Sequence, residues 1–152
     1  MTSAPVRDGP RANELIEVKE IRLIDKLSSD DTVSVNGVIH CFTGNYDQLM
    51  TYLELGLHIG ISGWVEESNN KRNLNLVNAL KRIGKEPKNL ELLKKRLMVE
   101  TDTPFLSPIF RKDTNEPANV QIVMAKVAEY LGVLIDQLAP QVYMNSMTFF
   151  DF

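Results

Sequence analysis

Short apolar runs alternate along the chain with segments in which apolar residues recur at helical spacing. Three of the runs contain β-branched residues and are bounded by polar or glycine-containing turns, which is typical of buried strands. These runs cover residues 35–42, 57–62 and 97–100. The helical spacing predicts amphipathic helices at residues 13–27, 45–55 and 74–83, a short helix or turn at 90–95, and further helices at 118–131 and from 144 onwards.

Residues that cap or interrupt helices support these boundaries. Asn45 is a favourable N-cap for the helix that follows it, and Gly56 stands where that helix is expected to end. Prolines at positions 104, 108 and 117 predict a long loop after the third strand. The mixed-charge residues 1–12, which include two prolines, predict a loose leader.

The predicted order of elements is helix, strand, helix, strand, helix, strand, helix. Buried strands that alternate with amphipathic helices are typical of parallel βαβ units. We therefore expect an α/β fold with about three parallel strands and flanking helices. The 152 residues show neither an internal repeat nor a low-complexity segment, so we expect a single domain over residues 1–152.

Composition narrows the classes of function. No apolar run approaches the roughly 18 residues of a membrane span, so we expect no membrane partner. The single cysteine, Cys41, excludes an intrachain disulfide and favours a reducing compartment, with the cytoplasm as the default. The net charge of −3 argues against a protein that binds nucleic acid by a basic surface alone, so any phosphate chemistry would depend on local cations such as bound metals.

Two polar residues at strand ends carry the candidate chemistry. His40 lies near the end of the first strand and Asp102 just beyond the third, and in βα folds the loops after such ends form the active-site face. Strands two apart place the bases of their side chains roughly 10 Å from each other, which leaves room for a metal ion or its bound water. Each residue also has a structural interpretation when it is taken singly. His40 is then more typical of a hydrogen-bonded structural residue, and Asp102 is typical of a loop cap. Glu100, which shares a strand face with Asp102, is typical of an ion-pair partner.

Four motifs, in this order, favour a functional site over the structural interpretation of these residues: "GVIHCFTG", "LGLHIGISG", "RLMVETDTPFLSP" and "NEPANV". With the tail "MNSMTFFDF" they span about residues 36–152, and the set closely resembles the TatD family of metal-dependent deoxyribonucleases, which are amidohydrolase-like TIM barrels. The resemblance implies a hydrolase that cleaves the phosphodiester bonds of DNA with a divalent metal, and it leaves Zn²⁺, Mg²⁺ and Mn²⁺ open.

Carried over residue by residue, the resemblance implies that His40 and Asp102 are metal ligands. It also implies that Asp102 is the catalytic residue, which orients the attacking water. Asn115 and Glu116 match a family loop motif, where a structural or substrate-binding part is expected. Thr114 stands where many members carry an arginine, which weakens the expectation of a phosphate contact there.

For three further residues, packing within the fold is either the expected role or an alternative to a contact with substrate. Trp64 follows the second strand and suits either stacking on a base or anchoring a loop. His58 stands where relatives often carry an aromatic residue, and we expect it to pack. Cys41 matches a motif position that is expected to pack beside the ligand histidine.

The resemblance covers only part of a barrel. A TIM barrel takes about 250 residues, and the match begins near the sixth of eight strands, so we expect the C-terminal portion of a (β/α)8 barrel. The family site also draws on an N-terminal His-x-His motif, a glutamate and a further histidine, none of which this sequence offers. We therefore expect either a homo-oligomer or a missing N-terminal half that another chain supplies.

Two functions from different classes remain. The first is a TatD-like deoxyribonuclease with DNA as its substrate, in the cytoplasm or the nucleus. The second is a catalytically inactive fragment or assembly module that retains the C-terminal half of the family fold. A partner chain that supplies the missing ligands would favour the first, and a chain that binds no metal would favour the second.

Overall fold

Three short parallel strands form the sheet, as the alternation of strands and helices predicts. The computed structural model describes residues 36–66, 71–108 and 114–151. Within them the sheet consists of β1 (Val38–Ile39), β2 (His58–Ile61) and β3 (Leu97–Val99), in the order β1-β2-β3. Because both pairs of strands are parallel, all three carboxyl ends lie at the same edge of the sheet.

Helices lie between and after the strands of the described residues. They are α1 (Tyr46–Glu54), α2 (Lys71–Ile83), α3 (Pro87–Lys94), α4 (Val120–Leu131) and α5 (Ile135–Phe150). The predicted N-cap of α1 is confirmed: Asn45 Oδ1 accepts from the Gln48 N–H at 3.0 Å, and Gln48 Oε1 accepts from the Asn45 N–H at 2.9 Å. This reciprocal pair satisfies two of the N–H groups that a helix start leaves without partners.

The core lies where the helices pack on the sheet. All four residues of β2 are buried, which fits a central strand that is covered on both faces. The largest fully buried side chains include Leu49, Leu53, Ile59, Ile61, Leu76, Leu80, Ile83, Leu93, Leu97, Leu131 and Leu138. Each contributes roughly 1.5–3 kcal/mol through the apolar area that it buries. The packing of these residues fixes the strand ends relative to one another.

Three helices begin earlier than the sequence predicts: α2 at Lys71, α3 at Pro87 and α5 at Ile135. Proline suits the first position of α3 because its missing N–H would have no partner there. α5 begins at Ile135 instead of residue 144 and contains Pro140. The buried contacts of Leu138 and Val142 outweigh the roughly 3 kcal/mol that an internal proline costs a helix.

Two predictions concern residues outside those that the structure describes. They are the leader at residues 1–12 and the helix at residues 13–27. Over the described ranges, no single helix is long and apolar enough to cross a membrane. Pro117–Leu131 and Ile135–Phe150 reach that length and composition only as a pair, with a bend of 118° between them.

Asn145 joins α5 to the start of β3. Its side chain is buried, and its amide nitrogen donates to the carbonyl oxygens of Lys94 and Leu97, each at 2.8 Å. Its Oδ1 accepts from Gln141 on the previous turn of α5 at 2.9 Å. These bonds satisfy a carbonyl at the end of α3 and one in β3, so the C-terminal helix fixes the strand that leads to Asp102.

We expect Asn145→Ala to lower the free energy of unfolding by about 2 kcal/mol, because it leaves two carbonyl oxygens without their donor and removes buried contacts. Urea denaturation followed by circular dichroism measures this change. Ser146→Ala is the matched control, because the Ser146 hydroxyl donates only within its own helix, to Val142 O. Equal losses for the two variants would contradict the role of Asn145.

His58 packs at the start of β2, as expected. It is 8% exposed, and its ring meets the ring of Phe149 on α5 edge-on, with centroids 4.9 Å apart. Its Nδ1 has no hydrogen-bond partner among the described residues. Burial lowers the pKa of His58, and the charge of Arg96 lowers it further, while a backbone contact with Gly37 acts in the opposite direction.

We expect the lowered pKa of His58 to make the fold less stable in mild acid. The unfolded chain binds a proton near pH 6.5 that the folded chain does not, so the free energy of unfolding falls as pH drops below that value, by at most about 1.4 kcal/mol per pH unit. His58→Phe should remove this part of the pH dependence. Urea midpoints at pH 5, 6 and 7 test it, and an unchanged pH profile in the variant would contradict it.

Candidate metal centre

Three side chains from the carboxyl ends of β1 and β3 converge. His40 follows β1, while Glu100 and Asp102 follow β3. The Nδ1 atom of His40 lies 2.9 Å from Glu100 Oε2, and its Nε2 atom lies 3.4 Å from Asp102 Oδ1. One ligand atom from each residue lies within 4.8 Å of the other two. We call this group the histidine–carboxylate cluster (His40, Glu100 and Asp102).

A glycine on the central strand allows the side chains to meet. Because β2 lies between β1 and β3, strand spacing puts about 10 Å between the bases of side chains on these two outer strands. Gly60 lies on β2, between the outer strands, and a Cβ atom there would lie 2.8 Å from Glu100 Oε2. The missing side chain therefore leaves the space through which the Glu100 carboxylate crosses β2 to reach His40.

The backbone turns sharply where the cluster residues lie. β1 ends before His40, earlier than the predicted strand, because the chain turns at His40 and Cys41. Cys41 and Asp102 have φ angles of 53° and 55°, in the left-handed region that residues other than glycine rarely adopt. The Cys41 N–H donates to Glu100 Oε1, which supports the first of these turns. Backbone of this kind is concentrated at functional sites.

The cluster opens to solvent on the side of His40. The side chain of His40 is 67% exposed, whereas those of Glu100 and Asp102 are 24% and 15% exposed. The hydrogen bond to Glu100 raises the pKa of His40; partial burial opposes this, and the charges of Glu100 and Asp102 add to it. Because a carboxylate only accepts hydrogen bonds, Nδ1 carries a proton and Nε2 is the nitrogen that a metal ion would use.

Cys41 lies beside the cluster but contributes no atom to it. Its Sγ lies 3.0 Å from Ser62 Oγ. Burial raises the pKa of the Cys41 thiol to about 11; the contact with Ser62 opposes this, and the carboxylate of Asp102 adds to it. Packing beside His40, as the sequence suggests, fits these observations.

Asn115 fixes the loop that carries Asp102. It is 1% exposed, and its amide nitrogen donates to the carbonyl oxygens of Thr101 and Phe105. Its backbone N–H donates to Pro104 O at 3.1 Å. These bonds connect Asn115 to the chain on both sides of Asp102. The substrate contact predicted for Asn115 stays a prediction, and the geometry favours a role in positioning the loop.

The other residues singled out from the sequence lie outside the cluster. Glu116 follows Asn115 and is exposed, and its backbone N–H donates to Asn115 Oδ1 at 2.9 Å. Trp64 is half-buried in a short 3-10 turn after β2, where its carbonyl oxygen accepts from Asn73. Neither contributes an atom to the cluster. Their predicted substrate contacts stay predictions.

The sequence does not identify the partner of Glu100. Its position is typical of an ion-pair partner, and the structure pairs it with His40. Two signals point to the contact once they are combined. Glu100 and Asp102 are two residues apart, and Gly60 interrupts an apolar central strand, which often marks a place where another group approaches closely.

The donor set suits a divalent metal ion. An imidazole nitrogen and carboxylate oxygens are ligands that zinc, manganese and related ions accept. Both oxygens of Glu100 accept hydrogen bonds from His40 and Cys41. In this arrangement Nε2 of His40 and the carboxylate of Asp102 are therefore the groups of the cluster best placed to hold an ion.

Comparison with known proteins identifies relatives over most of the chain. A family model described as TatD related DNase matches residues 17–151. A protein from Enterobacter lignolyticus, described as 3'-5' ssDNA/RNA exonuclease TatD, is 40% identical over 120 residues, which cover 74% of this chain and 41% of that protein. A protein of the same description from Klebsiella pneumoniae is 37% identical over 118 residues, with the same coverage. The chain thus spans about two-fifths of the length of these curated relatives.

Solved structures share the fold. A TatD homologue from Escherichia coli matches with a TM-score of 0.67 and 24% identity, over 88% of this chain and 47% of that chain. A TatD family hydrolase from Entamoeba histolytica matches with a TM-score of 0.63 and 22% identity, with the same coverage. These neighbours are TIM barrels, so the three parallel strands and their helices correspond to part of a barrel, as predicted. Together with the family model that matches residues 17–151, this shows that the chain belongs to the TatD family.

Proposed function

We propose that this chain forms one side of the active site of a metal-dependent nuclease that hydrolyses phosphodiester bonds, with DNA as the substrate. The observation that carries the proposal is the convergence of the histidine–carboxylate cluster at the carboxyl ends of β1 and β3. Membership of the TatD family supports it, because relatives are described as 3'-5' ssDNA/RNA exonucleases.

Each residue of the cluster has its own role in this proposal. His40, through Nε2, and Asp102 would hold a divalent ion, with Zn²⁺, Mg²⁺ and Mn²⁺ as candidates. When bound, such an ion would supply a water of lowered pKa and stabilise negative charge on a phosphate. The Asp102 carboxylate would orient the attacking water and accept its proton. Glu100 positions His40 by holding the proton on Nδ1.

The remaining ligands belong, in this proposal, to a further polypeptide segment. A hydrolytic metal normally has at least three protein ligands, and His40 and Asp102 provide two. The match covers 41% of the Enterobacter relative and lies in its C-terminal part. We place the missing ligands on a separate N-terminal half, because a second copy of this chain would lack them as well.

A second candidate function is a catalytically inactive module that assembles with other chains. The coverage of only 41% of the relatives favours it, because such a module could keep the fold without the complete ligand set. It would retain the loop contacts of Asn115 and bind metal weakly. The two candidates therefore differ in metal content, which can be measured directly.

We expect the purified chain, mixed with the unmatched N-terminal part of the Enterobacter relative, incubated with Zn²⁺ or Mn²⁺ and then desalted, to retain about one ion per chain. Asp102→Asn in the same mixture should retain almost none, because the amide lacks the charge of a ligand carboxylate. Mass spectrometry of the metals measures both. Asp136→Asn is the control, since it makes the same change at an exposed carboxylate on α5. Equal metal content for wild type and Asp102→Asn in this mixture would favour the inactive module.

Cleavage of a 5'-labelled single-stranded DNA tests the activity itself. We expect cutting when the metal-loaded chain is mixed with the unmatched N-terminal part of the Enterobacter relative, and loss of cutting by at least about a hundredfold with Asp102→Asn. Either component alone controls for contaminating nucleases. Metal binding without cutting in any mixture would contradict the nuclease proposal while leaving the metal site intact.

We also expect Glu100→Gln to weaken Zn²⁺ binding about 10- to 100-fold, because an amide offers one acceptor where His40 and Cys41 need two. Gly60→Ala should act in the same direction, since its methyl group would displace the flexible end of Glu100, at little cost to stability. Competition with a chelating dye measures the affinities.

Glu54→Gln provides the matched control for the lost charge, because Glu54 is exposed at the end of α1. Urea denaturation of the variants separates a weakened site from a weakened fold. Wild-type affinity in both Glu100→Gln and Gly60→Ala would show that the crossing carboxylate does not position His40.

A further inference from the structure

Phe105 presents an exposed aromatic ring at the edge of the sheet where the strands end. It is 73% exposed, the highest value among the exposed large hydrophobic residues in the described part of the chain. The others lie on α2, on α5, or directly before α5: Leu74, Leu134, Ile135, Tyr143, Met144 and Phe150. Phe105 therefore differs from them in lying on a strand-end loop, three residues after Asp102.

A β-turn sets the distance between Phe105 and Asp102. The Phe105 N–H donates to the carbonyl oxygen of Asp102 at 2.8 Å, which closes a four-residue turn. The α-carbons at the two ends of such a turn lie within about 7 Å of each other. The exposed ring and the proposed ligand carboxylate thus belong to one site.

Two contacts fix the backbone at Phe105 and Leu106, although the ring of Phe105 is exposed. Asn115 Nδ2 donates to Phe105 O at 2.6 Å. The carbonyl oxygen of Leu106, the next residue, packs against Gly63 so closely that a Cβ atom there would lie 1.9 Å from it. A ring on a loop fixed by two such contacts loses little conformational freedom when a ligand binds.

An aromatic ring fixed in this way suits a flat partner with a π-face. Proteins bind single strands of nucleic acid by stacking bases on aromatic side chains, and every base can stack. A nucleotide also carries the phosphate that a metal held by His40 and Asp102 would bind. The distance set by the turn allows one nucleotide to meet both features.

We propose that Phe105 stacks on the base of the nucleotide whose phosphate lies at the histidine–carboxylate cluster. This inference rests on the proposed function, because it places a strand of nucleic acid at this edge of the sheet. The stack selects unpaired ends, since a base inside a duplex must leave its neighbours before its face becomes accessible. Phe105 thereby supplies specificity for single strands that does not depend on charge.

The test uses a ten-nucleotide single strand of DNA with the fluorescent base 2-aminopurine at its 3' end and phosphorothioate linkages that resist cutting. The strand is titrated with the full chain in Mn²⁺, and both its anisotropy and its base fluorescence are recorded. We expect wild-type binding to quench the fluorescence. Phe105→Leu should abolish the quenching and weaken binding about tenfold, and Phe105→Tyr should retain both.

Phe150→Leu is the matched control, since it makes the same change at an exposed phenylalanine on α5. Circular dichroism confirms that the variants are folded. Unchanged quenching and affinity in Phe105→Leu would overturn the inference, as would a wild-type chain that does not bind the strand. Unchanged quenching combined with a loss of oligomers on size exclusion would instead assign the ring to a protein contact, which also overturns it.

The same strand with ordinary linkages separates this inference from the proposed function. Quenching that depends on Phe105 in a chain that cuts nothing would support the stack and contradict the nuclease. Cutting that is equally fast in wild type and Phe105→Leu would support the nuclease and contradict the stack. The two ideas can therefore fail independently.

Discussion

Glu100 follows the third strand but uses both of its carboxylate oxygens on residues that follow the first. One oxygen accepts from His40 and the other from the Cys41 N–H, across a central strand that has no side chain at Gly60. β1 is two residues long, so its ladder provides few hydrogen bonds to fix the turn that follows it. The carboxylate supplies that connection at the edge where the chemistry is proposed. The orientation of His40 therefore depends on a contact between strands that are not neighbours.

The same contact decides which nitrogen of His40 faces Asp102. With its proton held at Nδ1 by Glu100, the ring presents Nε2 to Asp102 Oδ1. In the absence of an ion a second proton can occupy Nε2, and the raised pKa of His40 reflects how well the two carboxylates stabilise that charged form. A proton and a metal ion thus compete for one atom. Lower pH favours the proton, and higher pH favours the ion.

The sequence predicted the parts of this arrangement that depend on local pattern. The three strands, the cap at Asn45 and the positions of His40 and Asp102 at strand ends follow from apolar periodicity and turn residues. The pairing of Glu100 with His40 could not be predicted in the same way, because it depends on strand order and on space above Gly60, which are properties of the folded sheet. The partners of Asn115 could not be predicted for a related reason, since only the folded loop supplies them.

The charge of the site determines how a nucleic acid could approach it. Two carboxylates and one histidine give the cluster a net negative charge, and a chain with net charge −3 offers no general attraction for phosphate. A divalent ion held by His40 and Asp102 would offset the charge of the two carboxylates and supply a positive centre for phosphate. Phosphate binding at this edge is then coupled to metal binding, whereas a base stacked on Phe105 adds affinity that does not depend on charge. Affinity for a strand would in this way come from an ion and a ring, and the loop after β3 carries both the ring and the ion's ligand Asp102. The hydrogen bonds of Asn115 keep that loop in place.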